Sequence, residues 1–168
     1  WTKRVELFIP EGNGYRSLTA GTGLPFGERP VYYRNFIFPV TQPPGVARYL
    51  MRIDPGINSL SLGLYAWDPA SLQRFIAHEM SVHWILAGLL AAMVIYSLLL
   101  WGSIRDRTYL LNAAFIGTLG LYMLDFHGLA FQFLWPESSW WKTISLQVLS
   151  SLTYVAGITF FRHYLLLK

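Results

Sequence analysis

Two long apolar runs, separated by a short charged turn, constrain this chain more than any other feature. Residues 84–101 contain no charged residue and no proline, and the same is true of residues 109–124. Each run is about 18 residues, or about 27 Å as an α-helix, which is close to the hydrocarbon thickness of a bilayer. Because backbone N–H and C=O groups in hydrocarbon must find partners within the segment, we predict transmembrane helices at about 84–101 and 109–126.

A third apolar run, residues 144–161, predicts a third span. Between the first two spans, Arg105, Asp106 and Arg107 predict a tight turn in water. Such charges are usually topology determinants that meet anionic head groups, and a specific signalling contact is the alternative. The spans together predict an all-α transmembrane bundle, of which this chain is expected to hold only a part.

Small residues recur at the spacing that lets helices approach closely. Such pairs are frequent by chance in apolar runs, so they favour a bundle without defining its contacts. The pairs are Gly88 with Ala92, Ala113 with Gly117, and Thr153 with Gly157.

Composition divides the chain into two unlike parts. The whole is 54% hydrophobic and only 13% charged, which is too apolar for an ordinary soluble protein. Residues 1–75 carry seven arginines and most of the prolines, whereas the long apolar runs lie in residues 76–168. We therefore predict two domains, 1–75 and 76–168. The net charge of +4 comes from scattered basic residues, which argues against a nucleic-acid partner, and the lack of cysteine excludes disulfides and thiolate chemistry.

The first domain alternates at the strand period. Val5, Leu7 and Ile9 share one face, and turn residues such as Asp54-Pro55-Gly56 separate the alternating stretches. This pattern predicts an antiparallel sheet, and the few strands predict an incomplete β-sandwich whose earlier strands lie outside this sequence. The predicted strands lie near residues 4–9, 15–20, 31–40, 46–54 and 59–67.

Asp68 followed by Pro69 predicts a helix start, since aspartate is a good N-cap and proline is favoured at the first helical position. Leu72, Phe75 and Ile76 then fall on one helical face. The juxtamembrane segment is therefore expected to continue as a helix into the first span and to couple the sheet to the membrane.

Candidate binding residues are few. Tyr32, Tyr33 and Trp67 predict either a stacking platform for a sugar or, more commonly for such rings, core packing. Asp125 and His127 lie at the end of the second span, where an ionisable residue indicates a ligand or proton contact, with a solvated helix end as the alternative.

Catalytic and metal-binding motifs were also sought. His78-Glu79 and His83 miss the zinc-protease spacing by one residue, so the two imidazoles do not share a helix face. The sequence shows no nucleophile elbow or phosphate-binding loop. We expect no metal site, no cofactor and no enzyme activity in this chain.

Two sets of stretches carry a resemblance to a known family. They are 96–110, 121–122 and 127–136 in the membrane part, and 29–30, 34–40, 43–45 and 49–53 upstream. By the first set the chain resembles the bacterial seven-transmembrane receptors with diverse intracellular signalling modules, and by the second it is similar to the jelly-roll extracellular domain that precedes their membrane unit.

The resemblance implies a multi-pass protein of the bacterial inner membrane, with a periplasmic sensor for a small ligand, carbohydrate being the candidate class. It also implies a cytoplasmic output, such as a diguanylate cyclase or histidine kinase, beyond these residues. The lipid bilayer and a second copy of the chain, as a homodimer, are the other expected partners. Two alternatives stay open: a membrane-embedded enzyme or transporter fragment, and a carbohydrate-binding module that helices merely anchor.

Short-loop charge predicts the orientation. Arg105 and Arg107 lie between the first two spans, and Arg162 and Lys168 follow the third, whereas Lys142 alone lies on the opposite side. The positive-inside rule therefore places the N-terminal sheet outside the cytoplasm.

This orientation predicts the outcome of reporter fusions. A fluorescent protein that folds only in the cytoplasm, fused within residues 102–108, is expected to be active, and the same reporter fused within 136–140 is expected to be inactive. Activity of an export-dependent phosphatase at the 102–108 turn would contradict the orientation.

Overall fold

The computed structural model describes residues 2–12, 14–42, 44–56 and 63–165, and the chain forms two compact units. The sheet unit comprises Trp1–Leu62 together with His127–Ser145, and the helical unit comprises Gly63–Phe126 together with Leu146–Lys168. The loop that follows the second long helix thus belongs by its contacts to the sheet unit. The boundary between the two domains at residue 75 was predicted from amino-acid composition, and it stays a prediction.

The described strands of the sheet unit form one antiparallel sheet in the order β2-β1-β3. In this register Leu7 of the central strand lies opposite Leu18 on one side and Met51 on the other. The three antiparallel strands are consistent with the partial sandwich predicted above. The strands are β1 (Arg4–Glu11), β2 (Gly14–Ala20) and β3 (Leu50–Asp54).

The core of the sheet unit lies on the face that alternation predicted. Val5 and Leu7 are buried, while Arg4 on the opposite face is exposed and forms an ion pair with Glu6 (2.6 Å). Phe26, in a single 3-10 turn after β2, is fully buried. Apolar burial therefore extends from the sheet into the segment that follows it.

The strand predicted at residues 31–40 is wrong: this segment has bends and irregular extended backbone. Its backbone groups have other partners, because the Arg29 guanidinium donates to the carbonyls of Tyr33 and Arg34, and the Tyr33 N–H donates to the Val31 carbonyl. These bonds replace a strand ladder.

Two other strand predictions change. Of the strand predicted at 46–54, only β3 is a strand. The strand predicted at 59–67 lies partly outside the described residues, and its described part, 63–67, is irregular.

Four helices follow the sheet in sequence. Within the described residues, α1, α2 and α4 are long and apolar enough to cross a membrane, which confirms the three predicted spans. With 36 residues α1 is about 54 Å long, so it exceeds the hydrocarbon thickness of about 30 Å and includes the juxtamembrane segment. The helices are α1 (Pro69–Ile104), α2 (Arg107–Phe126), α3 (Leu129–Phe133) and α4 (Ser139–Tyr164).

The predicted start of α1 is confirmed. The carboxylate of Asp68 accepts a hydrogen bond from the Ser71 N–H (3.0 Å), and Pro69 occupies the first turn. Hydrogen bonds from the Ser71 side chain and backbone hold the pKa of Asp68 below its usual range. The Trp67 ring stacks on Phe75 with centroids 5.0 Å apart, which fixes the entry of the chain into the helix.

A two-residue turn joins α1 to α2. Arg105 adopts a left-handed conformation (φ 62°) and its N–H donates to the Trp101 carbonyl (2.8 Å), which closes α1. Asp106 then accepts hydrogen bonds from the N–H and hydroxyl of Thr108, both 2.8 Å, which cap the start of α2. The predicted tight turn is confirmed.

Polar and aromatic contacts hold the helical unit together. The Asn112 amide donates to the buried hydroxyl of Ser97 (2.9 Å), which joins α2 to α1. Phe115 of α2 stacks on Phe160 of α4 with centroids 6.1 Å apart. A Cβ placed on Gly157 would lie 3.0 Å from the Phe115 ring, so the absence of a side chain there allows the close approach.

The predicted small-residue pairs differ in outcome. Ala113 is buried and a Cβ on Gly117 would be in contact with Val94, so this pair and Gly157 do lie at helix contacts. Within the described residues, a Cβ on Gly88 would meet no atom within 4 Å. The pair containing Gly88 therefore makes no such contact here.

A close backbone approach at Gly21 generates a stability prediction. The chain after β2 turns back on its own N-terminus, where the Gly23 N–H donates to the Lys3 carbonyl (3.1 Å). A Cβ on Gly21 would collide with that carbonyl and lie 2.9 Å from the Arg4 Cα. Gly21→Ala is expected to lower the free energy of unfolding of the sheet unit by about 1–3 kcal/mol.

Hydrogen exchange of the β1 and β2 amides, measured on the chain in nanodiscs, checks this expectation. Gly14→Ala is the matched control, because a Cβ at Gly14 would meet nothing within 4 Å in the described structure. Equal exchange in the two variants would show that the approach at Gly21 is not tight.

Candidate functional site

Two segments about a hundred residues apart in sequence meet inside the sheet unit. We call residues 26–36 the domain segment and residues 127–138, which join α2 to α4, the α2–α4 loop. Their contact is built from backbone carbonyls of the loop and donors of the domain segment. The contacts are Phe26 N–H to Pro136 O (2.9 Å), Tyr32 hydroxyl to Gln132 O (2.8 Å) and Arg34 Nη1 to His127 O (2.8 Å).

Aromatic packing fills the space between these hydrogen bonds. The Phe26 ring meets Tyr32 edge-on at 4.8 Å and Phe131 edge-on at 5.4 Å between centroids. Phe131 and its neighbours Leu129 and Ala130 in α3 are at most 2% exposed. Helix α3 is therefore part of the core of the sheet unit, although it is only five residues long.

Arg29 lies at the centre of the contact, with its guanidinium among three phenyl rings. Its Cζ is 4.1 Å from the centroid of Phe26, 5.0 Å from that of Phe36 and 5.6 Å from that of Phe131. Its Nη1 donates to the carbonyls of Tyr33 (2.9 Å) and Arg34 (2.8 Å). We call Arg29, Phe26, Phe36 and Phe131 the Arg29 cage.

The cation in this cage has no carboxylate partner among the described residues. Arg29 is 7% exposed, and desolvation by burial lowers its pKa to about 10, so it stays charged at neutral pH. In the described part of the chain, its buried Nε has no hydrogen-bond partner. Cation–π attraction, about 2 kcal/mol when desolvated, therefore offsets part of the cost of burying the charge.

The structure places the predicted platform residues in different surroundings. Tyr32 is 57% exposed and belongs to the contact with the loop, whereas its neighbour Tyr33 is buried at 3%. Trp67 belongs to the helical unit, where it is 47% exposed and stacks on Phe75. Tyr33 is therefore packed in the core of the sheet unit. A ligand-binding role for Tyr32, Tyr33 and Trp67 stays a prediction.

The pair at the end of the second span is also divided between the units. Asp125, in the last turn of α2, is fully buried, so it is not a solvated residue at a helix end. His127 begins the α2–α4 loop and contributes its carbonyl to the contact with Arg34. A ligand or proton role for Asp125 and His127 stays a prediction.

The remaining candidates lie in the helical unit. Arg105, Asp106 and Arg107 are exposed, and the Arg105 guanidinium lies 5.7 Å from the Trp101 ring centroid. Hydrogen bonds from the N–H and hydroxyl of Thr108 lower the pKa of Asp106. The Nδ1–H of His83 donates to the carbonyl of Glu79 (2.7 Å).

Within the described ranges, no group of three or more His, Asp or Glu side chains is arranged to hold a metal ion.

Several residues of the contact escaped the sequence analysis. The resemblance included Arg29 and Arg34, but no pattern distinguished them from surface arginines, because the groups that they contact in the loop, the Phe131 ring and the His127 carbonyl, are distant in sequence. Gln132 and Phe131 were likewise part of the resemblance only. An apolar stretch, 128–134, inside a loop expected at the membrane surface was the one available signal.

Comparison with known proteins finds two family models that match along the chain. Residues 79–168 match the family model described as 7TM diverse intracellular signalling, and residues 1–68 match the one described as 7TMR-DISM extracellular 2. Curated proteins and solved structures yielded no match. The fold and these matches define a multi-pass membrane receptor with an extracytoplasmic N-terminal domain. The chain belongs to the 7TMR-DISM family of seven-transmembrane receptors.

The Tyr32 hydroxyl provides a test of the contact between domain segment and loop. Tyr32→Phe keeps the ring against Phe26 and removes only the hydrogen bond to the Gln132 carbonyl. The stability of the contact is expected to fall by about 1 kcal/mol, seen as faster hydrogen exchange of the α3 amides.

Tyr15→Phe is the matched control for this substitution. Tyr15 is similarly exposed at 53%, and its hydroxyl makes no hydrogen bond within the described ranges. If the α3 amides exchange at the same rate in both variants, the bond to Gln132 contributes nothing to holding the loop.

Proposed function

We propose that this chain is the input part of a receptor in which ligand binding to the extracytoplasmic domain is transmitted to the membrane helices through the α2–α4 loop. One observation carries the proposal: the loop that joins two spans is packed into the same compact unit as the sensing sheet. A change in the domain segment therefore acts on the loop directly.

Chain connectivity makes the loop suited to this role. Helix α2 ends at Phe126, one residue before the loop contact at His127, and α4 begins at Ser139, three residues after the contact at Pro136. Because both linkers are so short, a displacement of α3 pulls on the ends of two spans.

Within the helical unit the spans are joined by discrete contacts that can rearrange. The Asn112 to Ser97 hydrogen bond and the packing of Phe115 over Gly157 are such contacts. A ligand that favours one of two helix arrangements would shift the population between them.

The finer assignments belong to the same proposal. The ligand is a small molecule of the carbohydrate class, for which Tyr32 offers a partly exposed ring in the sheet unit. The signal leads to a cytoplasmic output such as a diguanylate cyclase or a histidine kinase, and the chain itself is not an enzyme. A homodimer stays a prediction.

A membrane-anchored carbohydrate-binding module is the main competing function. In such a module, ligand binding would stabilise the sheet and leave the helices unchanged. A membrane-embedded enzyme or transporter is the other alternative, and it needs ionisable groups at mid-bilayer depth. Residues 84–101 of α1 contain no Asp, Glu, Lys, Arg or His.

A ligand screen with a structural readout separates these functions. The chain in nanodiscs is titrated with a panel of soluble neutral mono- and oligosaccharides, and thermal unfolding and hydrogen exchange are followed. A saccharide at 100 times its Kd is expected to stabilise the sheet unit by about 2.7 kcal/mol. Exchange is also expected to change in α3 and at the ends of α2 and α4.

The outcomes are distinct. Stabilisation confined to β1–β3 would favour the anchored module, and no stabilisation by any saccharide would contradict the carbohydrate class. Tyr32→Ala is expected to reduce the stabilisation, while Tyr15→Ala, at another ring of the sheet unit that is 53% exposed, serves as the matched control.

A further inference from the structure

The Arg29 cage combines groups from both sides of the contact. Phe26 and Phe36 belong to the domain segment, and Phe131 belongs to α3 of the α2–α4 loop. Among the described residues, the Arg29 guanidinium donates hydrogen bonds only within the domain segment, to the carbonyls of Tyr33 and Arg34. The guanidinium thus reaches the loop through one ring, that of Phe131.

The chemistry of the cage distinguishes it from ordinary core packing. A buried cation normally has a carboxylate partner or hydrogen bonds on all its donors. Among the described residues, Arg29 has neither. Three aromatic rings and two carbonyls offset part of the cost of burying its charge, and its Nε has no hydrogen-bond partner. Such a cation is held less firmly than a paired one, since water would satisfy every donor.

We propose that Arg29 is the positioning residue that couples the extracytoplasmic domain to the α2–α4 loop, and that the loop is released when the guanidinium leaves its cage. The proposal rests on the proposed function and deepens it by naming the contact on which transmission depends. Held in the cage, Arg29 keeps Phe131 and α3 against the domain segment. When its guanidinium is hydrated instead, Arg29 no longer orders Phe131 and α3.

Hydrogen exchange on the chain in nanodiscs, without any ligand, tests this assignment. The reporters are α3-region amides, among them the N–H of Leu134, which donates to the Ala130 carbonyl (2.8 Å), and that of Gln132, which donates to the Gly128 carbonyl (3.3 Å). Arg29→Met keeps the length and apolar contact but removes the charge and the forked donors. It is expected to raise exchange at these amides about tenfold while exchange in β1–β3 stays within about twofold.

The conservative variant separates charge from space filling. Arg29→Lys keeps a cation near the rings and loses the planar fork, so it is expected to retain protection intermediate between Arg29 and Arg29→Met. Protection by methionine equal to that by arginine would overturn the assignment, because the residue would then only fill space. A loss of protection spread evenly over β1–β3 would also overturn it, since Arg29 would be a general core residue.

A double-mutant cycle with Phe131 isolates the contact across the interface. Phe131→Leu is expected to raise α3 exchange, and combining it with Arg29→Met is expected to add less than the two separate effects. Phe133→Leu is the matched control in the same helix, with a side chain that is 47% exposed. Full additivity of Arg29→Met and Phe131→Leu would contradict coupling through the cage.

The two proposals fail in different ways. Arg29 variants that leave α3 unchanged would refute the role of the cage and leave the saccharide experiment to decide the proposed function. Arg29 variants that release α3, in a chain whose helices do not respond to a stabilising saccharide, would support the cage as a structural coupling and refute transmission of the ligand signal.

Discussion

The lack of hydrogen-bond partners in hydrocarbon is the constraint on which the rest of this structure depends. Apolar segments long enough to cross a bilayer must satisfy their backbone internally, and α1, α2 and α4 do so as helices. Because α1 crosses in one direction and α2 in the other, the α2–α4 loop returns to the side of the N-terminal domain. The membrane thus dictates which loop the sheet can contact before any side chain is considered.

What the loop does on that side depends on the domain segment. Its carbonyls at His127, Gln132 and Pro136 accept hydrogen bonds from the domain segment, and α3 buries its apolar side chains in the sheet unit. Surface loops usually expose their backbone to water. Here the burial of a five-residue helix makes the loop a part of the sensing domain and links that domain covalently to two spans.

The Arg29 cage shows how a contact can be specific without being strong. Three rings and two carbonyls select a planar cation, but no carboxylate of the described residues pairs with it, so the attraction does not fully offset desolvation. A contact of that kind is ordered in one arrangement and readily replaced by hydration in another. These are the properties that a coupling element between two states requires.

Patterns local in sequence predicted a large part of the fold. Residue charge and run length predicted the three spans, and Asp68-Pro69 predicted the start of α1, because these features act on neighbouring residues. Alternation predicted β1 and β2, but it failed at 31–40. There the Arg29 side chain occupies the carbonyls of Tyr33 and Arg34, which a strand ladder would have used.

The sequence by itself determined the membrane class, the number of spans in this chain, their orientation and the family, because length, apolarity and charge placement are properties of contiguous segments. Tertiary structure alone decided the loop partners of Tyr32 and Arg34, the contact of Arg29 with Phe131 and the inclusion of the α2–α4 loop in the sheet unit. The Tyr32 contact joins residues 100 positions apart, and the Arg34 contact joins residues 93 apart. Such pairings depend on how the folded chain closes in space, which no local pattern of charge or hydrophobicity encodes.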